Sequence, residues 1–466
     1  MKKINFSDKN TSDIAKRLYN RFVENNYRYQ TLTLFTGFGK TAISIATAGL
    51  FAHQAKQDIN VFIIATKRKI QDNSWVHTVE QYNEIAEYKL NIMDIATHQG
   101  ILVAKKNDKL PKKEIKAMRP GRQKELRFLK QWKKEMEEKP TIIIVDEVQL
   151  MKNPTAKTSK ALMELMKNNI TIGLSATPMP NGMLDDGVAY LVYNNYYKNQ
   201  SDFRKQHIPP RMYDRYYKPD VYTIDYEIDP NRFFELDLFK ERIKATTFVP
   251  DAEVDFEMPH QRLHTLAYDL SQKTINDIYD MSISYKERRY DSYRQYLSDI
   301  KRAISQDSNH VERMKYIVEE NKDKQPLIFY ETNAQLEVIE KGLNELNMPY
   351  KRINGQGNSD KLDDIDTTDT EQAIVIQYKS GGNSIEFTNS FVSIFYGLIY
   401  SWGNIAQAMG RNIRRGMPQD SYVNQYFLLA THPHDSHVYD VIERKEEFSE
   451  DLLIELAENV SSEVTK

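Results

Sequence analysis

The chain has 466 residues, with 64 Lys and Arg against 66 Asp and Glu, so its formal net charge is only -2. At roughly 100–200 residues per domain, that length allows two to four compact units with ample apolar sequence for real cores. It contains no cysteine, which excludes disulfide frameworks, thiolate zinc sites, iron–sulfur clusters and thiol nucleophiles but leaves phosphate chemistry open.

The N-terminal segment MKKINFSDKNTSDIAKRL has no apolar core of signal-peptide length. No later run reaches the roughly 18 apolar residues a membrane span needs, so a cytoplasmic protein is expected. The stretch LTLFTGFGKTAISIATAGL (32–50) sets β-formers against a glycine pair and then a helix-like apolar run. A strand ending in such a turn exposes backbone N–H groups and the positive end of the helix dipole, which together suit a polyphosphate. Thr36, Gly37, Phe38, Gly39, Lys40 and Thr41 are therefore the candidate nucleotide-binding residues. Lys40 would reach the β- and γ-phosphates and the Thr41 hydroxyl would bind Mg2+. The full phosphate-loop pattern asks for a glycine at position 34, where this chain has Leu34.

Strand-like runs continue with INVFIIAT (59–66), NIMDIAT (91–97), TIIIVDE (141–147) and ITIGLSAT (170–177), alternating with helix-like stretches. Short buried runs rich in β-branched residues, spaced in this way, predict a parallel sheet in an α/β domain. Between the third and fourth runs, residues 105–139 hold 14 basic against 6 acidic residues. That asymmetry fits either a polyanion contact or a solvated helix face. TIIIVDE places Asp146 and Glu147 at the C-terminal edge of a strand, where α/β sheets bind ligands. Asp146 would hold Mg2+ and Glu147 would orient or deprotonate an attacking water.

Residues 190–235 are crowded with Tyr and Pro, and 262–320 read as long charged helices. Within them YKERRYDSYRQY (285–296) interleaves aromatic and basic residues, as a strand-stacking element or as a helix packing its tyrosines into a core. A second set of strand-like runs follows: QPLIFYET (325–332), AIVIQYK (373–379), SFVSIFYG (390–397) and NQYFLLAT (424–431). Two α/β lobes are predicted, 1–215 and 321–466, joined by a linker and largely helical region over 216–320. QAMGRNIRRG (407–416) spaces Gln407, Arg411 and Arg414 as one helical face, and an arginine reaching a γ-phosphate would stabilise transition-state charge. HPHDSH (432–437) matches no metal-ligand spacing and reads as a cap or turn.

In this order GFGKT, DEVQ, SAT (175–177) and QAMGRNIRR resemble motifs I, II, III and VI of superfamily-two helicases and translocases. Further residues resemble the Swi/Snf-like ATPases within that superfamily: IIATKRKIQDNSWVHTVEQY, VDEVQLMKNPTAKTSKAL, LSATPMPN, KSGGNSIEF (379–387) and the block SWGNIAQAMGRNIRRG. In size and motif content the chain is similar to compact phage branch-migration helicases. The sequence departs from the family at Gln149, where histidine is usual, at Ser384, where a second glycine is usual, and at Tyr400, near the usual aspartate. The glutamine that reads adenine in the family has no counterpart at the expected place, since Gln30 lies too close to the loop.

The resemblance implies two RecA-like lobes and ATP with Mg2+. It makes Lys40, Glu147, Gln407, Arg411 and Arg414 catalytic and makes Gln149, Ser175, Ala176, Thr177 and Gly382 coupling residues. It further implies a DNA track held mostly through phosphates, with Lys67, Arg68, Lys69, Arg288 and Arg289 as candidate contacts. The function expected is an ATP-dependent DNA translocase that remodels duplex, forked or four-way-junction DNA in replication or recombination. An RNA helicase, a restriction motor subunit and an ATP-gated DNA-binding adaptor are the alternatives.

Overall fold

The fold is known from a computed structural model, which describes residues 5–6, 8–34, 37–102, 132–180, 184–207, 234–250, 259–354, 360, 365–367, 369–378, 387–413, 417 and 421–458. Packing divides the chain into two units, Met1–Val254 with Ser449–Lys466, and Asp255–Phe448. That is a division by contact, whereas segments 1–215, 216–320 and 321–466 are divisions by composition.

The first unit carries a sheet of β1 (Tyr29–Thr33), β2 (Ile59–Ala65), β3 (Leu90–Thr97), β4 (Thr141–Asp146), β5 (Ile170–Ser175) and β6 (Thr247–Phe248), in the order β3-β2-β4-β5-β1-β6. All pairings are parallel. A parallel sheet covered on both faces needs apolar residues at odd and even positions alike, and β4 shows it. Ile142 and Ile144 join one core with Leu32, Ile43 and Trp75. Ile143 and Val145 join the opposite core with Phe62, Tyr29 and Tyr190. Helices α1 (Lys9–Glu24) and α2 (Lys40–Ala55) bury the first face. The Asp8 carboxylate caps α1 by accepting from the Thr11 N–H.

Most of the basic segment 105–139 lies outside the described residues. Its last part does not: residues 132–138 are helical and docked. Trp132 packs edge-on against Phe62 and donates its indole N–H to Asp94, so this end of the segment belongs to the core.

The second unit carries β7 (His260–Tyr268), β8 (Leu327–Tyr330), β9 (Tyr350–Ile353), β10 (Ala373–Gln377), β11 (Val392–Phe395) and β12 (Tyr422–Ala430), in the order β7-β12-β11-β8-β10-β9, again all parallel. Ile328 and Tyr330 face one core, Leu327 and Phe329 the other. Residues 262–268, expected as helix, are strand. The segment HQRLHTLAY is mostly exposed, and β7 is held by pairing with β12 along its whole length. Ring stacks of His260 on Tyr422 and His264 on Tyr426, and Arg262 seated 3.6 Å from the Tyr422 ring centroid, clamp the pair. A partner this distant in sequence leaves no local periodicity to read.

The expected helices follow as three shorter ones, α9 (Gln272–Lys286), α10 (Tyr293–Ser305) and α11 (Ser308–Glu320), each with a side-chain cap from Ser271, Ser292 or Asp307. Ile278, Ile300, Ile304 and Met314 anchor them to the core that holds Ile328. Among the described residues no helix is long and apolar enough to cross a membrane.

Candidate nucleotide site at the edge of the first sheet

Strands β1 and β4 flank β5, with Thr33 opposite Ser175 and Asp146 opposite Leu174. Their C-terminal ends therefore open on one edge of the sheet within two strand spacings, about 10 Å. Gly37 (φ 90°) and Gly39 (φ 78°) turn the chain there, in backbone that only glycine adopts freely, and Gly39 precedes the first turn of α2. Lys40 opens that helix and donates to the Leu34 carbonyl at 2.7 Å, its ammonium folded over its own loop. Thr41 is half-buried beside it, and Phe38 packs partly on the core. Thr36 lies outside the described residues.

Asp146 ends β4 and is 2 % exposed. Its backbone carbonyl accepts from His98 Nε2 at 2.7 Å. Burial pulls the His98 pKa down against the pull of that carbonyl and the nearby carboxylates, so the neutral imidazole holds the strand end. Lys69 Nζ stands 2.7 Å from Asp146 Oδ2. Burial alone would lower the Lys69 pKa, but Asp146, and more weakly Glu147 and Asp72, outweigh it and raise it. Lys69 is thus firmly a cation.

Glu147 follows in the left-handed region (φ 51°, ψ 51°), a conformation that costs a non-glycine residue roughly 1 kcal/mol and clusters at functional sites. It starts a short helix, Val148–Met151, and accepts from Gln149 Nε2 at 2.5 Å. Ser175 ends β5, and its hydroxyl accepts from the Thr177 N–H across Ala176. Several buried polar atoms around this edge, Thr33 Oγ1, Gln149 Oε1 and Thr177 Oγ1, find no hydrogen-bond partner among the described residues. Buried orphans of this kind ask for water or ligand.

The Asp146 carboxylate and the Thr41 hydroxyl are oxygen donors of the kind a hydrated divalent cation takes. His98 and the Lys69–Asp146 pair escape sequence reading, since neither a lone His after β3 nor one Lys among three basic residues announces a partner.

The remaining candidates are placed differently. Lys67 is exposed; Arg68 is half-buried, one guanidinium nitrogen lacking a hydrogen-bond partner among the described residues. Burial lowers the Arg68 pKa, with Asp72 opposing. Gln30 is a buried strand residue, accepting from Arg21 Nε and donating to the Ala245 carbonyl, which ties α1 to the segment before β6.

In the second unit the helical face expected from Gln407 onward does not extend to Arg411. Helix α13 (Trp402–Met409) stops at Gly410, and Arg411 follows in a turn. Arg411 is buried, and its carbonyl accepts from the Phe387 N–H at 3.1 Å. Gln407 is half-buried on α13. Arg414, Gly382 and Ser384 lie outside the described residues. Arg288 and Arg289 are exposed at the end of α9, Arg289 paired with Glu287 at 2.7 Å. HPHDSH forms the start of α14 (Pro433–Glu458), where Asp435 accepts from the Ala430 N–H and His434 N–H donates to His432 Nδ1.

A glycine turn, a buried strand-end carboxylate and polar atoms unpartnered among the described residues, all on one sheet edge, are the layout at which α/β proteins take phosphate groups. Residues 8–179 match the family model of the type III restriction enzyme res subunit, and residues 309–416 that of the helicase conserved C-terminal domain. With both models matched in this order, the chain is an ATP-hydrolysing enzyme with superfamily-two helicase domains, carried on two six-stranded parallel sheets. No curated protein matches the sequence. Among solved structures, the chain is similar to a Sulfolobus solfataricus SWI2/SNF2 ATPase core in complex with dsDNA, at 15% identity over 97% of this chain and 93% of that one, with a TM-score of 0.39. A likeness of that score bears neither on the assignment nor on what this chain binds.

Proposed function

We propose that the protein is a Swi/Snf-like, ATP-driven DNA translocase that remodels duplex or branched DNA, acting by fork regression or branch migration. The observation that carries its ATPase half is the edge of the first sheet, which carries Lys40, Thr41, Asp146 and Glu147 together with buried polar atoms that have no partner among the described residues. In this reading the glycine turn and Lys40 cradle the phosphates, and Lys40 leaves the Leu34 carbonyl to do so. Thr41 and Asp146 would hold Mg2+, which when bound would neutralise phosphate charge. Glu147 orients the attacking water and takes its proton. Gln149, Ser175 and Thr177 sense the state of the site through bonds that the ligand completes. Arg411 and Arg414 of the second unit contribute the positive charge that stabilises the transition state, and the neutral Gln407 amide contributes a hydrogen bond.

DNA as the track is supported by the Thr-Pro-x-x-Asn and tryptophan blocks of the sequence, which resemble the Swi/Snf-like group, and by the exposed bases Lys67, Arg288 and Arg289. The test is steady-state ATP turnover across a matched panel of single-stranded, duplex, forked and four-way-junction DNA and duplex RNA. Strongest stimulation by forks and junctions is expected. Equal stimulation by linear duplex would point to a general translocase, and stimulation by RNA alone would overturn the reading.

A further inference from the structure

We propose that Lys69 is the resident counter-cation of Asp146: it holds the place a nucleotide-borne divalent cation takes, and loading that cation releases it to a nucleic-acid phosphate. The inference deepens the proposed function and rests on it.

The Asp146 carboxylate is almost wholly buried, and a buried carboxylate without a partner is strongly disfavoured. Lys69 supplies the partner at 2.7 Å from a side chain that is itself still 21% exposed. A Lys head on four rotatable carbons can leave by rotamer change, with no movement of the backbone. The Asp146 backbone has no such freedom, since His98 grips its carbonyl and β4 is paired on both sides.

Two cations at contact distance in a poorly solvated site repel strongly. A divalent ion arriving at Asp146 therefore ejects the monovalent one. Lys69 sits in the short helix α3 (Lys67–Gln71) beside exposed Lys67 and half-buried Arg68, so ejection adds a second free ammonium to the one that Lys67 presents. Linkage makes the effect reciprocal: a phosphate that draws Lys69 away leaves Asp146 open to the metal, and metal and nucleic acid bind with positive coupling.

The test uses the full chain with ADP and Mn2+ as the metal probe, read by the loss of the free Mn2+ resonance. Lys69→Met is expected to bind Mn2+ roughly tenfold tighter than wild type, and Lys69→Arg to stay near wild type. The Tm of Lys69→Met should fall without metal and recover with Mn2+; a fall that Mn2+ does not reverse marks a purely structural ion pair and overturns the proposal. A second measurement does not depend on that variant folding. The salt dependence of duplex-DNA binding without nucleotide should steepen in Asp146→Asn by about one phosphate contact, a slope change of about 0.9, because Lys69 has lost its partner. Equal Mn2+ affinity in wild type and Lys69→Met, or an unchanged slope in Asp146→Asn, overturns the inference alone. A wild-type chain that binds neither Mn2+ with ADP nor DNA overturns the motor reading and this inference with it.

Discussion

Glu147 and His310 show how far single residues carry chemistry and stability. Glu147 holds a left-handed backbone and is tied to Gln149. Glu147→Gln keeps the shape and removes the base, so ATP binding should persist while turnover falls by about 10²-fold or more. Fluorescent-nucleotide binding and phosphate release check the two halves separately, and normal turnover would remove Glu147 as the base. His310 is buried in the second unit, its Nε2–H donating to the Tyr396 carbonyl at 2.7 Å and its Nδ1 accepting from the Tyr268 hydroxyl. Burial, opposed by Asp435, the Tyr396 carbonyl and Asp307, pushes its pKa down to about 4. The unfolded chain protonates near the ordinary histidine value of about 6.5. Stability is therefore intact above pH 6.5 and is lost as pH falls toward 4, by about 3 kcal/mol at most. Urea unfolding at pH 7.5 and 5 should show this loss in wild type; His310→Gln should start less stable and change less.

Among the elements, the turn between α9 and α10 gathers four tyrosines. Tyr285 stacks on Tyr296 at 4.6 Å, with Tyr290 and Tyr293 within 6.4 Å of that pair. Tyr285 and Tyr293 keep more than a third of their surface exposed. The cluster is thus neither a closed core nor a row of free rings. Replacing both exposed tyrosines by Ala should cost stability by only about 1 kcal/mol yet weaken binding of forked DNA several-fold, since each base stacked on a ring contributes about 1–3 kcal/mol. Thermal melting with fluorescence anisotropy separates the outcomes, and unchanged anisotropy would leave the cluster structural. The end of α13 is a second case. Gly410 stops the helix one residue before Arg411, so the arginine is aimed by a turn and by the buried contact of its carbonyl with Phe387.

For the whole molecule, the proposed chemistry depends on residues from both units. Arg411→Ala should leave ATP binding by the first unit intact and lower turnover by roughly 10³-fold, with Arg411→Lys recovering part of it. A buried arginine also supports its own unit, so the variant's melting curve must accompany the rate. Unchanged turnover in a folded Arg411→Ala protein would remove the arginine from the mechanism.

The sequence by itself determined nine strands of the two sheets, because β-branched runs such as IIIV and VFII have no other way to bury both faces. It also set Lys40, Asp146 and Glu147 at strand ends of one sheet, because a glycine turn and an acidic strand end are written locally. What only the tertiary structure decided rests on partners far apart in the chain. Strand β7 exists through β12, Gln30 is a structural tie because Ala245 lies beside it, and Lys69 is an ion-pair partner because β2 and β4 are neighbours. Local spacing could name those residues. Only the packing of the sheet could say whom they meet.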